Sequence, residues 1–346
     1  MMKTNSAYVS EQNFEQQILQ DVSRSFALTI PQLPHALSRV VTNAYLLCRI
    51  TDTIEDEVAL TIDQKSFFFQ KFIDVISGKV SANHFADELY PLLSDMTLPA
   101  EKELVRNTAS IIRTTLSFDE KHQAILKRCV TIMSEGMLRF QKIKSPYGLK
   151  ELSDMDSYCF YVAGVVGEML TGLFCEYSEE ISENRKRLFE VAASFGQGLQ
   201  MTNILKDLWD DKERGVCWLP QDIFQKAGFD LKNLSIDNYV HTFGDGLAEL
   251  IGITHAHLKN ALAFTLIIPP HETGIRKFCL WAIGMSILTL RNINKKRNFK
   301  SGNDVKISKR SLKAIITVSN ATLKSNYLLK TLFNLTTRGL PESNKK

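Results

Sequence analysis

Two acidic stretches carry most of the chemistry that this sequence offers. The first, RITDTIEDE at 49–57, follows the apolar segment NAYLLC and packs Asp52, Glu55, Asp56 and Glu57 into six residues. Residues four apart share one face of a helix, one turn up. Asp52 and Asp56 meet that spacing, and Glu55 sits beside them. Like charges so placed repel and weaken an empty helix. A divalent cation removes the penalty. Magnesium favours one or two carboxylates per ion, with water and phosphate oxygens completing its octahedron. The second stretch, GQGLQMTNILKDLWDD at 196–211, steps Asn203, Asp207 and Asp211 by four. Asp210 joins at three from Asp207, and Gln200 lies one turn above Asn203. Leu199, Met201, Ile204, Leu205 and Leu208 between them are apolar, so this too reads as an acid stripe on a mostly buried helix.

One such motif alone reads as a solvated helix end. Two of them, each on an apolar helix, are far more specific. Facing acid stripes across a cavity would clamp magnesium on a diphosphate. The metals would then draw that group off an allylic carbon by stabilising the leaving group as Lewis acids. A di-iron bundle also uses inward carboxylates but needs Glu-x-x-His pairs, and neither stretch has a histidine three residues on. His255 and His257 are two apart, on different helix faces, and read as ordinary. GDG at 244–246 is no dinucleotide fingerprint, because the pattern is incomplete and no strand precedes it.

The elements that must position these residues are helical. Strand signals are rare, whereas helical spacing is widespread. Helices are expected over 11–29, 34–58, 62–77, 85–93, 99–117, 119–143, 151–177, 182–210, 221–227, 237–266, 272–297 and 308–334. Pro31 and Pro34, SPYG at 145–148, ERGVCWLP at 213–220 and PPHETG at 269–274 punctuate them. The expectation is one large all-α domain over 1–338 with a polar tail over 339–346. The chain has 346 residues, 44% hydrophobic and 23% charged, enough for a sizeable core. Its net charge of +4 and the lack of a basic stripe interleaved with aromatics argue against nucleic acid as a partner. Six scattered cysteines without a C-x-x-C pair fit free thiols in a reducing compartment. The polar N-terminus lacks a secretion signal's apolar middle. The runs FCLWAIGMSILTL at 278–290 and LAFTLIIPP at 262–270 fall short of the roughly 20 residues of a membrane span and read as buried helices. The stretch 308–334 is amphipathic and basic. It reads either as a peripheral membrane contact or as a final helix docked on the core.

A family likeness rests on SRSFALTI at 23–30, YLLCRITDTIED at 45–56, YCFYVAGVVG at 158–167, and GLQMTNILKDLWDD with RGVCWLPQDIF at 198–224. In order and spacing these resemble the squalene/phytoene synthases, over roughly residues 15–335. KFCLWAIGMSILTL at 277–290 and FKSGNDVKISK at 299–309 are similar to the final helices and mobile cofactor loop of the squalene synthase branch. YVAGVVGEML also suits the carotenoid branch. The resemblance implies the all-α isoprenoid-synthase fold with a central cavity, and head-to-head condensation of two farnesyl diphosphates through presqualene diphosphate to squalene. It implies Mg2+, or Mn2+ in its place, and NADPH. The alternatives are dehydrosqualene, hydroxysqualene or phytoene formation without the nicotinamide step and, more distantly, a non-catalytic assembly factor. The expected form is a monomer of bacterial type, lacking the eukaryotic membrane anchor, cytoplasmic or peripheral at the inner face of the membrane.

The resemblance also assigns roles. Asp52, Glu55, Asp56, Asn203, Asp207 and Asp211 hold metal. Arg24 and Arg49, with Ser23, contact diphosphate oxygens, a task that suits the forked, permanently charged guanidinium. Arg214 adds a phosphate contact, and Gln200 belongs to the same substrate site. Lys206 reads as a surface charge pointing partly away from the Asp207 face. Tyr158 and Tyr45 border the reacting carbons, with Tyr161 nearby. A phenol there acts as a base only if its pKa is lowered, and its π face stabilises a cation without proton transfer. Gly164 and Gly167, each costing about 1 kcal/mol in a helix against alanine, serve close packing and make room for an isoprenoid chain. Phe26, Val162, Leu170, Phe278 and Cys279 line an apolar tunnel. Lys300, Lys306 and Lys309 hold the phosphates of NADPH.

Overall fold

The computed structural model describes residues 13–23 and 25–343. Among these, regular structure is helical apart from one isolated parallel bridge, Leu149 to Pro220. The chain forms two compact units. One comprises the residues up to Lys142 together with Gly172–Glu179. The other comprises Ile143–Thr171 and the chain from Glu180 onward.

In the first unit, α1 (His35–Asp56) starts directly after Pro34 and stops where Glu57 turns extended. Fourteen of its 22 residues are buried, so it is a core helix whose last turn carries the first acid cluster. It packs on α2 (Ile62–Ile76) and α3 (Glu120–Gln141). A Thr61–Gln64 capping box starts α2, satisfying otherwise unpaired backbone donors. The Asp119 carboxylate, accepting from the His122 amide, starts α3.

In the second unit, Leu152–Cys159 continues through a five-residue π-helix, Phe160–Gly164, into Val165–Tyr177, whose residues from Gly172 belong to the first unit. This segment packs on α4 (Arg185–Lys206), which lies along α5 (His241–Ile267) and α6 (Thr273–Lys295). Glycine permits the closest approach. A Cβ on Gly167 would sit 2.1 Å from the Ala192 carbonyl oxygen, and one on Gly196 would sit 1.9 Å from that of Ala163. Two helices, α7 (Lys309–Thr322) and α8 (Asn326–Thr337), pack against α6 and each other.

Several helices expected as single runs are broken. Asn107 separates Pro99–Arg106 from Thr108–Leu116. Asn184 and Asp207 divide 179–213 into three pieces. Ser325 starts α8 by accepting from the Leu328 amide. Asn107 and Asn184 donate to the Glu103 and Glu180 carbonyls, so at three of the four breaks a short polar side chain takes a local backbone group, whereas Asp207 makes no such cap bond. Two helical stretches, 152–177 and 273–295, are long and apolar enough to cross a membrane by length and composition, yet most of each apolar window is buried inside the structure. In the tail, Leu340 is buried and the Pro341 carbonyl lies 3.2 Å from His255 Nδ1. The chain beyond Gly339 therefore rests on α5 as far as it is described.

Candidate active site

The four acids at the end of α1 occupy four different environments. Asp52 is half-buried and Asp56 exposed. Glu55 is buried, accepts from Gln141 Nε2 at 3.3 Å, and lies near Lys65, whose ammonium donates to the Glu55 carbonyl and, at 3.2 Å, to Gln141 Oε1. Glu57 is buried and accepts from the amides of Ala59 and Ser94, each at 2.8 Å, and from the Thr97 hydroxyl at 2.6 Å. Those bonds outweigh burial and hold its carboxyl below the usual range. Glu57 thus pins the chain around 94–97.

Electrostatics separates the pair above it. Burial pushes Asp52 up to about 7, against the opposite pull of Arg49 and with Asp56 and Glu101 adding to the rise. Burial, then Asp56 and Asp52, push Glu55 up to about 8. Arg49 sits 3.6 Å from Asp52 and ion-pairs with Glu101, a residue of the Pro99–Arg106 helix. Burial opposes its charge, but these two carboxylates more than offset that and hold it protonated. Its Nε is buried without a hydrogen-bond partner among the described residues. An unanswered buried donor is costly. Together with crowded, partly desolvated carboxylates, it fits a site for a metal-bound anion.

Nearby, Tyr45 donates to the Val22 carbonyl at 3.1 Å and packs on Phe26, ring centroids 5.4 Å apart. Ser23 is buried and accepts from the Phe26 amide at 3.0 Å. Burial raises the Tyr45 phenol, against a hydrogen bond with Ser23. A phenol so shifted keeps its proton, which favours donation or π stabilisation over a basic role. Arg24, expected to contact diphosphate, lies outside the described residues.

The second stripe is built differently. α4 ends at Lys206 and a short helix, Leu208–Glu213, begins after Asp207. Hydrogen bonds from the Asp207 amide to the Asn203 carbonyl at 2.8 Å, and from the Asp211 amide to that of Asp207 at 2.9 Å, carry the four-residue register through the break. Asn203 and Asp210 are exposed, and Gln200, Asp207 and Asp211 half-buried. Lys206 Nζ lies 3.0 Å from Asp207. This corrects the expectation that Lys206 points away: the local break at Asp207 lets adjacent side chains meet. Arg214 ion-pairs with Asp211.

Segment 300–309 approaches this stripe. A Cβ on Gly302 would lie 3.1 Å from Asp207 Oδ1 and 3.3 Å from the Lys206 carbonyl oxygen. Trp209 Nε1 donates to the Phe299 carbonyl at 2.7 Å, fixing the start of that segment. Lys300 reaches Asp237 at 3.2 Å, whereas Lys306 and Lys309 are exposed.

Tyr158 is buried and stacks on Trp218, centroids 3.8 Å apart and planes 8° from parallel. Tyr161, Val162 and Ala163 lie in the π-helix and are half-buried. Gly164 and Gly167 are buried, as are Leu170, Phe278 and Cys279. A π-helical turn often marks a functional position, and none of the sequence patterns announces it. Trp218 lies within a quoted motif, yet its stacking partner was not legible. Glu101, 52 positions from Arg49, left no sequence signal.

Among the described residues no three His, Cys, Asp or Glu side chains form a ready-made ion cage. Magnesium needs none, because one or two carboxylates suffice when water and phosphate supply the rest. Asp52 with Asp56, and Asp207 with Asp211, are the pairs suited to hold it.

The fold matches solved structures. TcSQS in complex with a ligand aligns with a TM-score of 0.74 at 21% identity, over 97% of this chain and 94% of that one. A dehydrosqualene synthase aligns at 0.64 and 20% identity, over 92% of this chain and 98% of that one. This is an all-α fold of the isoprenoid-synthase type. Residues 19–311 match the squalene/phytoene synthase family, and the chain belongs to it. The squalene synthase ERG9 of Saccharomyces cerevisiae is 29% identical over 303 residues, 85% of this chain and 64% of its own length. The squalene synthase of Schizosaccharomyces pombe is 27% identical, over 79% of this chain and 58% of its own length. The Candida albicans ERG9 is 31% identical, over 80% and 60%. The chain thus spans somewhat less than two thirds of these curated relatives.

Proposed function

We propose that this protein condenses two farnesyl diphosphates head to head, through presqualene diphosphate, to squalene. The observation that supports this most directly is the first acid cluster: half-buried carboxylates crowded against an arginine with an unanswered Nε, in a chain of this family. Asp52, Asp56, Asp207 and Asp211, with Asn203, would hold Mg2+, which supplies Lewis-acid stabilisation of the departing diphosphate. Arg49 would donate to diphosphate oxygens through its unanswered Nε while Glu101 holds its Nη2. Lys206 and Arg214, which pair with Asp207 and Asp211, lie where they could also meet the diphosphate if those carboxylates held metal. Tyr45 keeps its proton and offers its ring to the allylic cation. Tyr158, held flat on Trp218, cannot swing, so it presents a fixed surface to the reacting carbons. Apolar walls keep water from the cation. Lys306 and Lys309 would hold the phosphates of NADPH, which supplies the hydride of the second half-reaction. In this reading the protein is a monomer, cytoplasmic or peripheral at the inner face of the membrane.

The test is incubation of the purified chain with farnesyl diphosphate and magnesium, with and without NADPH, followed by mass spectrometry. Squalene only with NADPH is the expected outcome. Dehydrosqualene or hydroxysqualene irrespective of NADPH would replace the reductive step, and no hydrocarbon or presqualene diphosphate under either condition would overturn the enzyme assignment.

A further inference from the structure

Apart from Lys309, assigned above to NADPH, the C-terminal helix pair carries a surface that the proposed reaction does not use. Between Asp304 and Glu342 the sequence has no acid, while Lys309, Arg310, Lys313, Lys324, Lys330 and Arg338 are all basic. All six are exposed. Elsewhere in the same unit Lys206, Arg214, Lys296 and Lys300 each meet a carboxylate. None of the six does so among the described residues.

One face of the pair is core. Leu323, Leu329 and Phe333 are buried, where α7 and α8 pack on α6. That accounts for the inner half of the amphipathic pattern. The outer half is not simply polar. Tyr327 is 77% exposed, Leu335 62%, Leu328 44% and Val318 39%. Tyr327 and Leu335 are eight apart, hence on one helix face, and Arg338 follows one turn after Leu335. Exposed apolar residues also occur elsewhere, such as Met96 and Phe67, but here four fall on one helix pair together with the cations. Apolar side chains set among uncompensated cations are the pattern of a helix lying in a lipid interface. A soluble polyanion would answer the charges but leave the leucines in water.

We propose that the outer face of α7 and α8 docks on an anionic lipid bilayer. Tyr327, Leu328 and Leu335 enter the boundary between headgroups and acyl chains, and the five cations other than Lys309 meet acidic headgroups. This stands independently of the reaction proposed above.

Flotation of the full chain with vesicles tests it. Phosphatidylcholine vesicles containing one third phosphatidylglycerol should carry the protein upward at low salt, and less so as salt screens the charges. Pure phosphatidylcholine should not. Each cation removed should weaken partition about five-fold, the equivalent of about 1 kcal/mol per charge near the surface, so K324E/K330E should abolish flotation. Y327S/L335S should weaken it while leaving its salt dependence unchanged. Circular dichroism melts matching the wild type show that both variants fold. The proposal is overturned if the wild type stays at the bottom with anionic vesicles or floats equally with neutral ones. It is also overturned if both folded variants float like the wild type, or if heparin binds the chain more tightly than the vesicles do.

Discussion

The two acid stripes share a spacing but not a state of charge balance. At the end of α1, Asp52 and Glu55 are pushed up to about 7 and about 8, and a single arginine is divided between Asp52 and Glu101. Around Asp207 and Asp211 each carboxylate has a cation of its own, Lys206 and Arg214. The first stripe is therefore held in an unfavourable arrangement that a bound cation would relieve. The second is neutralised internally and, in the proposed function, would have to exchange partners to hold metal. Equal motifs in the sequence thus do unequal electrostatic work, and substitutions should expose the difference.

The largest effect is expected at Asp52. D52N should lower product formation by about 100-fold or more, in the range for loss of a group that stabilises a charged transition state. In magnesium-free buffer its melting temperature should equal or exceed that of the wild type, because a like charge has been removed. Activity assays beside thermal melts read both, and a D52N protein that melts lower would contradict the picture of a strained first stripe. Next is Glu57, the acid that belongs to the fold. E57A should cost about 2–3 kcal/mol, since it strips a buried acceptor from three donors, measurable by urea unfolding. D52N and E57A thus separate function from stability within six residues.

At the second stripe, R214A removes the cation paired with Asp211 and should change activity by only a few fold while raising the apparent affinity for magnesium, read by titrating the ion. G302A should act in the same range. The added Cβ forces the 300–309 segment off Asp207 by a few tenths of an ångström, raising KM for NADPH more than for farnesyl diphosphate. The smallest effect is a pH dependence of stability at His257. It is depressed by burial below its ordinary value of 6.5 and bonded to the Ser194 hydroxyl at 2.7 Å. A neutral imidazole in the folded state gives stability that is complete above the unfolded value, declines as pH drops below it, and levels off under the folded value. Asp156, 4.0 Å from Nε2, limits the loss. Unfolding at pH 5 and pH 7.5 should show a difference that H257Q abolishes.

Much of this was readable from residue order. Spacing identified the helices around 35–56 and 241–267, because apolar periodicity over several turns leaves few alternatives. It also placed Asp52 with Asp56 and Asp207 with Asp211. Breaks at Asn107, Asn184, Asp207 and Leu323–Ser325 were missed, since a locally helical pattern does not reveal which polar residue will interrupt it. The bonds around Glu57 were equally hidden: its partners Ser94 and Thr97 lie some 40 positions away.

Sequence alone determined the helical class, the acid spacing and the family, because helical periodicity and motif order are local properties of the chain. Only the tertiary structure decided which acid is strained, which is paired and which is structural. Burial and counterion distance set the energy of a carboxylate, and both come from residues far away along the chain.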